Sequence, residues 1–270
     1  MEKRELGRTG EKIPVVGMGT WQIGDAKNEG RATELKAIRR GVELGMTLID
    51  TAEMYGHGRS ETLVGEAIKG LGDDVFVATK VSPEHFGYDQ VKRSCESSLK
   101  RLGLRQIDLY QLHWPSDRVP IGETMRAMEE LVSEGKIRYV GVSNFSVAEM
   151  REAREALPRS EVASNQVRYS LTHRSIESEV LPFCEKERIS VIAYSPLDTG
   201  RLPADRIPGT LLDKYGLTPA QMMLNWATWR DGVVAIPKAS SLEHVEENAG
   251  SCATRISAAD YQSLSKAFRS

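Results

Sequence analysis

The amino-acid sequence predicts an α/β protein of the (β/α)8, or TIM-barrel, class: a single domain over residues 1–270 with one extra helix at its C-terminal end. Three observations predict it. Eight short runs are rich in β-branched and other apolar residues, the longer segments between them carry apolar residues at helical spacing, and no Pro- or Ser-rich linker or shift of composition divides the chain. Repeated strand and helix units fit either a closed eight-stranded barrel or an open doubly wound sheet, and the count of eight favours the barrel.

In chain order the strand-like runs are 15–18, 46–50, 75–79, 107–113, 137–142, 163–167, 190–194 and 233–236. Between them, Leu35, Ile38 and Val42 make one helical face, Val91, Cys95, Leu99 and Leu102 a second, and Met125, Met128 and Val132 a third. Gly45, Gly103 and Gly135 stand between a helical segment and the next strand, where a left-handed cap suits glycine. A final helix over 257–267 falls outside the eightfold pattern.

Composition narrows the function classes. A chain of 270 residues, 40% hydrophobic and 27% charged, can bury a large core, which excludes a disordered tail or a disulfide-stapled miniprotein. A formal net charge of −2 gives no basic field for nucleic acid or an anionic membrane surface. No apolar stretch reaches the roughly 20 residues of a membrane span, and the opening MEKRELGRTG lacks a signal-peptide core, so the expected location is cytoplasmic. Cys95, Cys184 and Cys252 are far apart and odd in number, and are expected as buried, inert thiols in a reducing compartment. His57, His85, His173 and His244 form no metal-binding spacing and no GxSxG is present, so neither a catalytic metal nor a serine nucleophile is expected.

In a barrel of this class the active site lies at the C-terminal ends of the strands. Asp50 closes the second run, Tyr55 follows it, Lys80 closes the third and His113 the fourth. Each alone has a plainer explanation, such as a turn cap, a packed ring, a solvated amine or a satisfied core histidine. Together they are chemically coherent. An ammonium beside a phenol lowers the phenol's pKa, a carboxylate holds the ammonium, and an imidazole can orient a carbonyl oxygen and stabilise the charge that develops on it.

The motifs DTAEMYG at 50–56, ATK at 78–80, LHWP at 112–115, GVSNF at 141–145, NQVRYS at 165–170, AYSPL at 193–197 and IPKAS at 236–240 run in order along nearly the whole chain. In these the sequence resembles the aldo-keto reductase family. The resemblance implies an oxidoreductase, an aldehyde or ketone reductase using NADP(H), with Asp50, Tyr55, Lys80 and His113 as its catalytic set and Tyr55 as general acid. It places the nicotinamide carboxamide at Ser143, Asn144 and Gln166 and its ring against Tyr194. Ser195 and Leu197 then meet the pyrophosphate, Lys238, Ser240 and His244 the adenosine 2′-phosphate, and Glu247 and Asn248 the adenine. Where relatives often carry an arginine, His244 offers no permanently charged fork, so NADP is expected to be preferred and NAD tolerated.

Gly17-Met18-Gly19 follows a strand but lacks the third glycine of a Rossmann turn. The resemblance assigns Gly19 and Thr20 instead to close approach of the cofactor at the barrel mouth. Trp21, Tyr55, His113 and Trp114 are the candidate substrate wall, with packing as the other explanation of the two tryptophans. The segment 198–208 is short and the chain stops at Ser270 without a long tail, so an open site with broad specificity for small aldehydes is expected, sugar-derived or α-keto aldehydes among them. A cofactor-binding regulatory or sensor subunit with slow chemistry is the alternative, and a monomer is the state common in such families.

Overall fold

The computed structural model describes residues 1–25, 29–71 and 74–268; Ser270 lies outside them. Eight parallel strands form one sheet in chain order: β3 (Met18–Gly19), β4 (Leu48–Asp50), β5 (Phe76–Val81), β6 (Ile107–Leu112), β7 (Ile137–Ser143), β8 (Val162–Arg168), β9 (Ser190–Tyr194) and β10 (Val233–Ala235). The ends of the sheet meet through parallel bridges Val16 to Ala235 and Gly19 to Lys238, which close it into a barrel. Two glycines let β3 sit close to both of its neighbours, Gly17 against β4 and Gly19 at the closing seam with β10. A Cβ on Gly17 would sit 2.6 Å from the Leu48 carbonyl oxygen, and one on Gly19 would sit 2.7 Å from that of Ile236. Close strand approach is therefore one requirement that these positions meet.

Around the barrel run α1 (Glu29–Glu43), α2 (Arg59–Ile68), α3 (Tyr88–Leu102), α4 (Ile121–Ser133), α5 (Val147–Glu155), α6 (Val180–Glu187), α8 (Pro219–Ala227) and α9 (Leu242–Gly250). A short α7 (Gly209–Tyr215) precedes α8, and α10 (Ala258–Ala267) follows the eightfold pattern, with Ser257 capping its N-terminus. Local chemistry explains these limits. Ser146 with Glu149 and Thr218 with Gln221 form reciprocal capping boxes at α5 and α8, and Gly103 ends α3 at φ 66°. The expected face Val91, Cys95, Leu99 and Leu102 is buried against the barrel, as are Met125, Met128 and Ile38, while Leu35, Val42 and Val132 pack at the edge of that core.

A hairpin of β1 (Lys3–Glu5) and β2 (Lys12–Pro14), which the strand reading did not include, closes the N-terminal end of the barrel. Leu6 and Ile13, both fully buried, join Leu48, Phe76, Ala78, Leu109, Ile192 and Val234 in the barrel interior. Each such side chain removed from water contributes about 1.5–3 kcal/mol, so the plug is a working part of the core. The opposite, C-terminal end is left to polar side chains.

Strand limits move by one to three residues from expectation, most at the first run, where 15–18 becomes Met18–Gly19. Met46 belongs to the turn out of α1, its N–H bonding the Gly41 carbonyl, so β4 begins at Leu48. β5 runs on to Val81, which places Lys80 inside the strand rather than at its end. Cys95 and Cys184 are buried, and burial pushes both thiols up to about 12, whereas Cys252 is only half-buried. Segment 198–208 forms two short 3-10 turns, and Arg206 at its end lies over the Phe268 ring, 4.3 Å from its centroid. Among the described residues no helix is long and apolar enough to cross a membrane, and no group of three acidic, His or Cys side chains is placed to hold a metal.

Candidate active site

Asp50 ends β4, Lys80 is the penultimate residue of β5, His113 directly follows β6, and Tyr55 lies on the 3-10 turn Tyr55–Gly58 after β4. Barrel curvature brings the four together. Lys80 is fully buried, and its Nζ donates to Asp50 Oδ1 at 2.6 Å, to the Thr51 carbonyl at 2.9 Å and to the Tyr55 hydroxyl at 3.3 Å. The Tyr55 and His113 rings meet edge to face with centroids 5.6 Å apart. A buried ammonium on a carboxylate next to a phenol is an arrangement for moving a proton, since burial strengthens each electrostatic contact.

The balance of these contacts corrects one expectation. Burial raises the Tyr55 phenol, Lys80 draws it down and Asp50 raises it again, so its net pKa lies above the ordinary value rather than below it. The phenol is therefore held in its proton-donating form. Burial lowers Lys80, but Asp50 and Tyr55 more than offset this, and the amine stays charged. Burial first, and Lys80 second, push the His113 imidazole down to about 2. It is neutral at every working pH, a hydrogen-bonding group rather than an acid. Its Nδ1 is buried and has no partner among the described residues.

Two amides that support the carboxylate reach it from across the barrel. Gln166 Nε2 on β8 donates to Asp50 Oδ2 at 2.7 Å, and Gln111 Nε2 on β6 donates to the same oxygen at 3.2 Å. Gln111 was missed in the sequence, although it stands two residues before His113 and so shares its face of the strand. Thr20, expected at the cofactor, is fully buried beneath this layer, where its hydroxyl donates to the Asp50 carbonyl at 2.9 Å and accepts from Ser60 at 2.8 Å.

The residues expected at a nicotinamide form a second network on the same mouth. Ser143 Oγ donates to the Gln166 carbonyl, Asn144 Nδ2 donates to Ser143 Oγ at 3.0 Å and to the His113 carbonyl at 3.3 Å, and the Tyr194 hydroxyl donates to Asn144 Oδ1 at 3.0 Å. Asn144 and Ser195 hold left-handed φ values of 62° and 49°, strain of the kind that accumulates at ligand sites. Asp198, buried and also at positive φ, pins the loop after β9 by accepting from Ser170 Oγ at 2.7 Å and from Thr172; Leu197 lies within that loop.

Farther round, Lys238 is exposed, and its ammonium donates only to Ser240 Oγ, with no carboxylate partner among the described residues. Beside it Ser241 caps α9, and its Oγ accepts the His244 N–H. An unneutralised lysine at a helix N-terminus attracts an anion. Glu247 is less free, because its Oε1 already accepts from Thr218, and Asn248 is buried in α9.

Trp21 and Trp114 are 51% and 42% exposed, which excludes a core-packing role for either. Trp114 stacks on His113 at 4.4 Å and 20°. Met54, next to Tyr55, is a third large apolar side chain left at 48% exposure, absent from the sequence-based wall. Comparison with known proteins agrees with this geometry. The Aldo/keto reductase family profile matches residues 15–268. A methylglyoxal reductase of Escherichia coli K12 is 41% identical over 274 residues, spanning 99% of this chain and 96% of that protein. An aldo/keto reductase from Klebsiella pneumoniae, crystallised with NADP and acetate, is 40% identical and superposes with a TM-score of 0.89 over 99% of this chain and 96% of that one. A thermostable aldo-keto reductase bound to the inhibitor epalrestat gives a TM-score of 0.94 at 38% identity over 99% and 100% of the two chains. Over nearly its full length, and with this barrel around these side chains, the chain belongs to the aldo/keto reductase family.

Proposed function

We propose that the protein reduces small aldehydes and ketones to alcohols using NADPH, with Tyr55 as the proton donor. The observation that carries this is the buried Lys80 ammonium, joined at once to the Asp50 carboxylate and the Tyr55 hydroxyl. The bound cofactor would supply the hydride to the carbonyl carbon. Tyr55 gives its proton to the carbonyl oxygen, and Lys80 stabilises the phenolate left behind. Asp50, held by Gln111 and Gln166, keeps Lys80 charged and in place. Neutral His113 donates a hydrogen bond to the same carbonyl oxygen and orients it. Trp21, Met54 and Trp114, exposed apolar side chains next to Thr20, Tyr55 and His113, would line the substrate site.

The residues present suit the cofactor. Gln166 uses its Nε2 on Asp50, leaving Oε1 to accept from the carboxamide, and Asn144 with Ser143 completes that polar edge while the Tyr194 ring offers a stacking face. Ser195 and Leu197 would meet the pyrophosphate, with Gly19 at the mouth and Thr20 supporting Asp50 from beneath. Lys238 and Ser240 fit the 2′-phosphate; Glu247 would have to release Thr218 to reach the adenine, and buried Asn248 would have to turn outward. The NADP held by the Klebsiella relative supports this choice. His244 in place of a guanidinium predicts weak discrimination. His244→Arg is expected to tighten NADPH about tenfold while leaving NADH nearly unchanged, as one charge-assisted bidentate contact would; fluorescence titration of both cofactors checks it.

The E. coli relative's name supports a small α-keto aldehyde as substrate, and the exposure of Trp21, Met54 and Trp114 supports broad specificity. Steady-state NADPH oxidation with methylglyoxal, short alkanals and a bulky steroid ketone tests the reading. Short aldehydes are expected to give the higher kcat/KM by at least about tenfold. Binding of NADPH with no turnover of any carbonyl would point to the sensor role instead.

A further inference from the structure

Behind Lys80, on the outside of the barrel, lies an ion pair that the chemistry above does not use. Glu61 on α2 is fully buried; its Oε2 accepts from Arg101 Nε on α3 at 2.6 Å, and its Oε1 accepts from Thr79 Oγ1 at 2.6 Å. Thr79 immediately precedes Lys80 on β5, so the two side chains leave opposite faces of the strand. The Arg101 stem lies flat on Gly58, where a Cβ would come within 2.6 Å of its Cδ and 2.7 Å of its Nε.

Gly58 ends a run of three left-handed residues, Gly56, His57 and Gly58 at φ 56°, 54° and 84°, that starts directly after Tyr55. Such a conformation costs about 1–2 kcal/mol for a residue with a Cβ, so His57 does not adopt it unaided. Packing from outside must hold the turn. Glu61 is fully buried while Arg101 keeps 28% of its side chain exposed; an ion pair drawn this far out of water often adds no net stability over an apolar pair of the same size, so the case for this one is its geometry.

We propose that Glu61 and Arg101 are positioning residues for the reduction: together they lock the strand carrying Lys80 to the turn carrying Tyr55 and so set the spacing between ammonium and phenol. The inference rests on Tyr55 being the proton donor. Tyr55 is faced by Lys80 from β5, Asp50 from β4, His113 after β6 and Tyr194 from β9. Of these only Lys80 draws its proton off, and that pull weakens as the spacing grows.

The test compares Arg101→Met, which keeps the stem over Gly58 but removes the charge, with Arg101→Lys and Glu61→Gln. Each full-length variant is taken through a thermal melt, and is assayed at 25 °C for NADPH affinity, kcat and KM with methylglyoxal, and the pH profile of alcohol oxidation. A turn displaced by about 1 Å predicts that Arg101→Met loses about tenfold to a hundredfold in kcat. NADPH affinity and KM should stay within about twofold, since no cofactor contact is touched. The basic limb of the oxidation profile should move up, and Arg101→Lys should keep more of the rate than Arg101→Met. If the variants melt earlier but keep wild-type kcat and an unmoved basic limb, the pair is only structural and the proposal is overturned. Should Arg101→Met not fold, Arg101→Lys and Glu61→Gln decide it by the same readings. A wild type inactive on every carbonyl overturns the role of Tyr55 and this inference with it; an active wild type with unaffected variants overturns this inference alone.

Discussion

Replacing Tyr55 by phenylalanine is expected to lower kcat for aldehyde reduction by about 10²- to 10⁴-fold, the range that a positioned general acid contributes. The change is small in volume and keeps the edge-to-face contact with His113, so the melting temperature and NADPH affinity should hardly move. What disappears is the hydroxyl 3.3 Å from Lys80 Nζ and with it the proton. The same group governs pH dependence. A phenol raised above its ordinary value is protonated throughout the neutral range, so reduction should fall only as pH rises through that raised pKa. Alcohol oxidation, which needs the phenolate as base, should climb toward high pH. His113, pushed down to about 2, is neutral on both sides of pH 6.5 and should add no step there. A Tyr55→Phe enzyme that keeps more than a tenth of the wild-type kcat, or a wild-type reduction profile with an inflection near 6.5, would contradict this assignment.

Lys80→Met should be the more damaging change to the fold. It leaves the buried Asp50 carboxylate without its counter-ion, and breaking one side of a buried pair costs about 3–5 kcal/mol. Gln111 and Gln166 still donate to Asp50 Oδ2, which argues for the lower end, or a melting temperature down by roughly 6–10 °C. Activity should be lost as well, because nothing then stabilises the phenolate. Lys80→Met combined with Asp50→Asn separates the two effects: with no lone charge in the barrel, stability should largely return while kcat does not. Calorimetry and steady-state rates on the single and double variants decide it, and a double variant as unstable as the single one would show that the ion pair is not the source of the loss.

Much of the site could be seen in the one-dimensional chain, because strand period and barrel architecture say which residues meet. Asp50, His113 and Ser143 each stand at or just after the end of a parallel strand, and Gln166 two residues before the end of β8, the end where the barrel class puts its chemistry. Gln111 was visible by the same alternation, two residues from His113, but a glutamine carries no signal of its own. Lys80 was placed at a strand end because the expected run stops at residue 79, and the partner that lets it lie inside β5, the Asp50 carboxylate, comes from a different strand. The hairpin plug was missed because its strands are three residues long, Lys-Arg-Glu with no apolar side chain and Lys-Ile-Pro, and so show no period.

The sequence by itself determined the alternation of strands and helices, the caps that limit them and the set of side chains delivered to one end of the barrel, since these follow from spacing along a single segment. The tertiary structure alone decided how those side chains act on one another. Whether Tyr55 is raised or lowered, which amides hold Asp50, and how Glu61 and Arg101 grip the turn beyond Tyr55 depend on burial and on distances between residues tens of positions apart. Closing the barrel sets those distances, and electrostatic energies in a buried site change steeply with them.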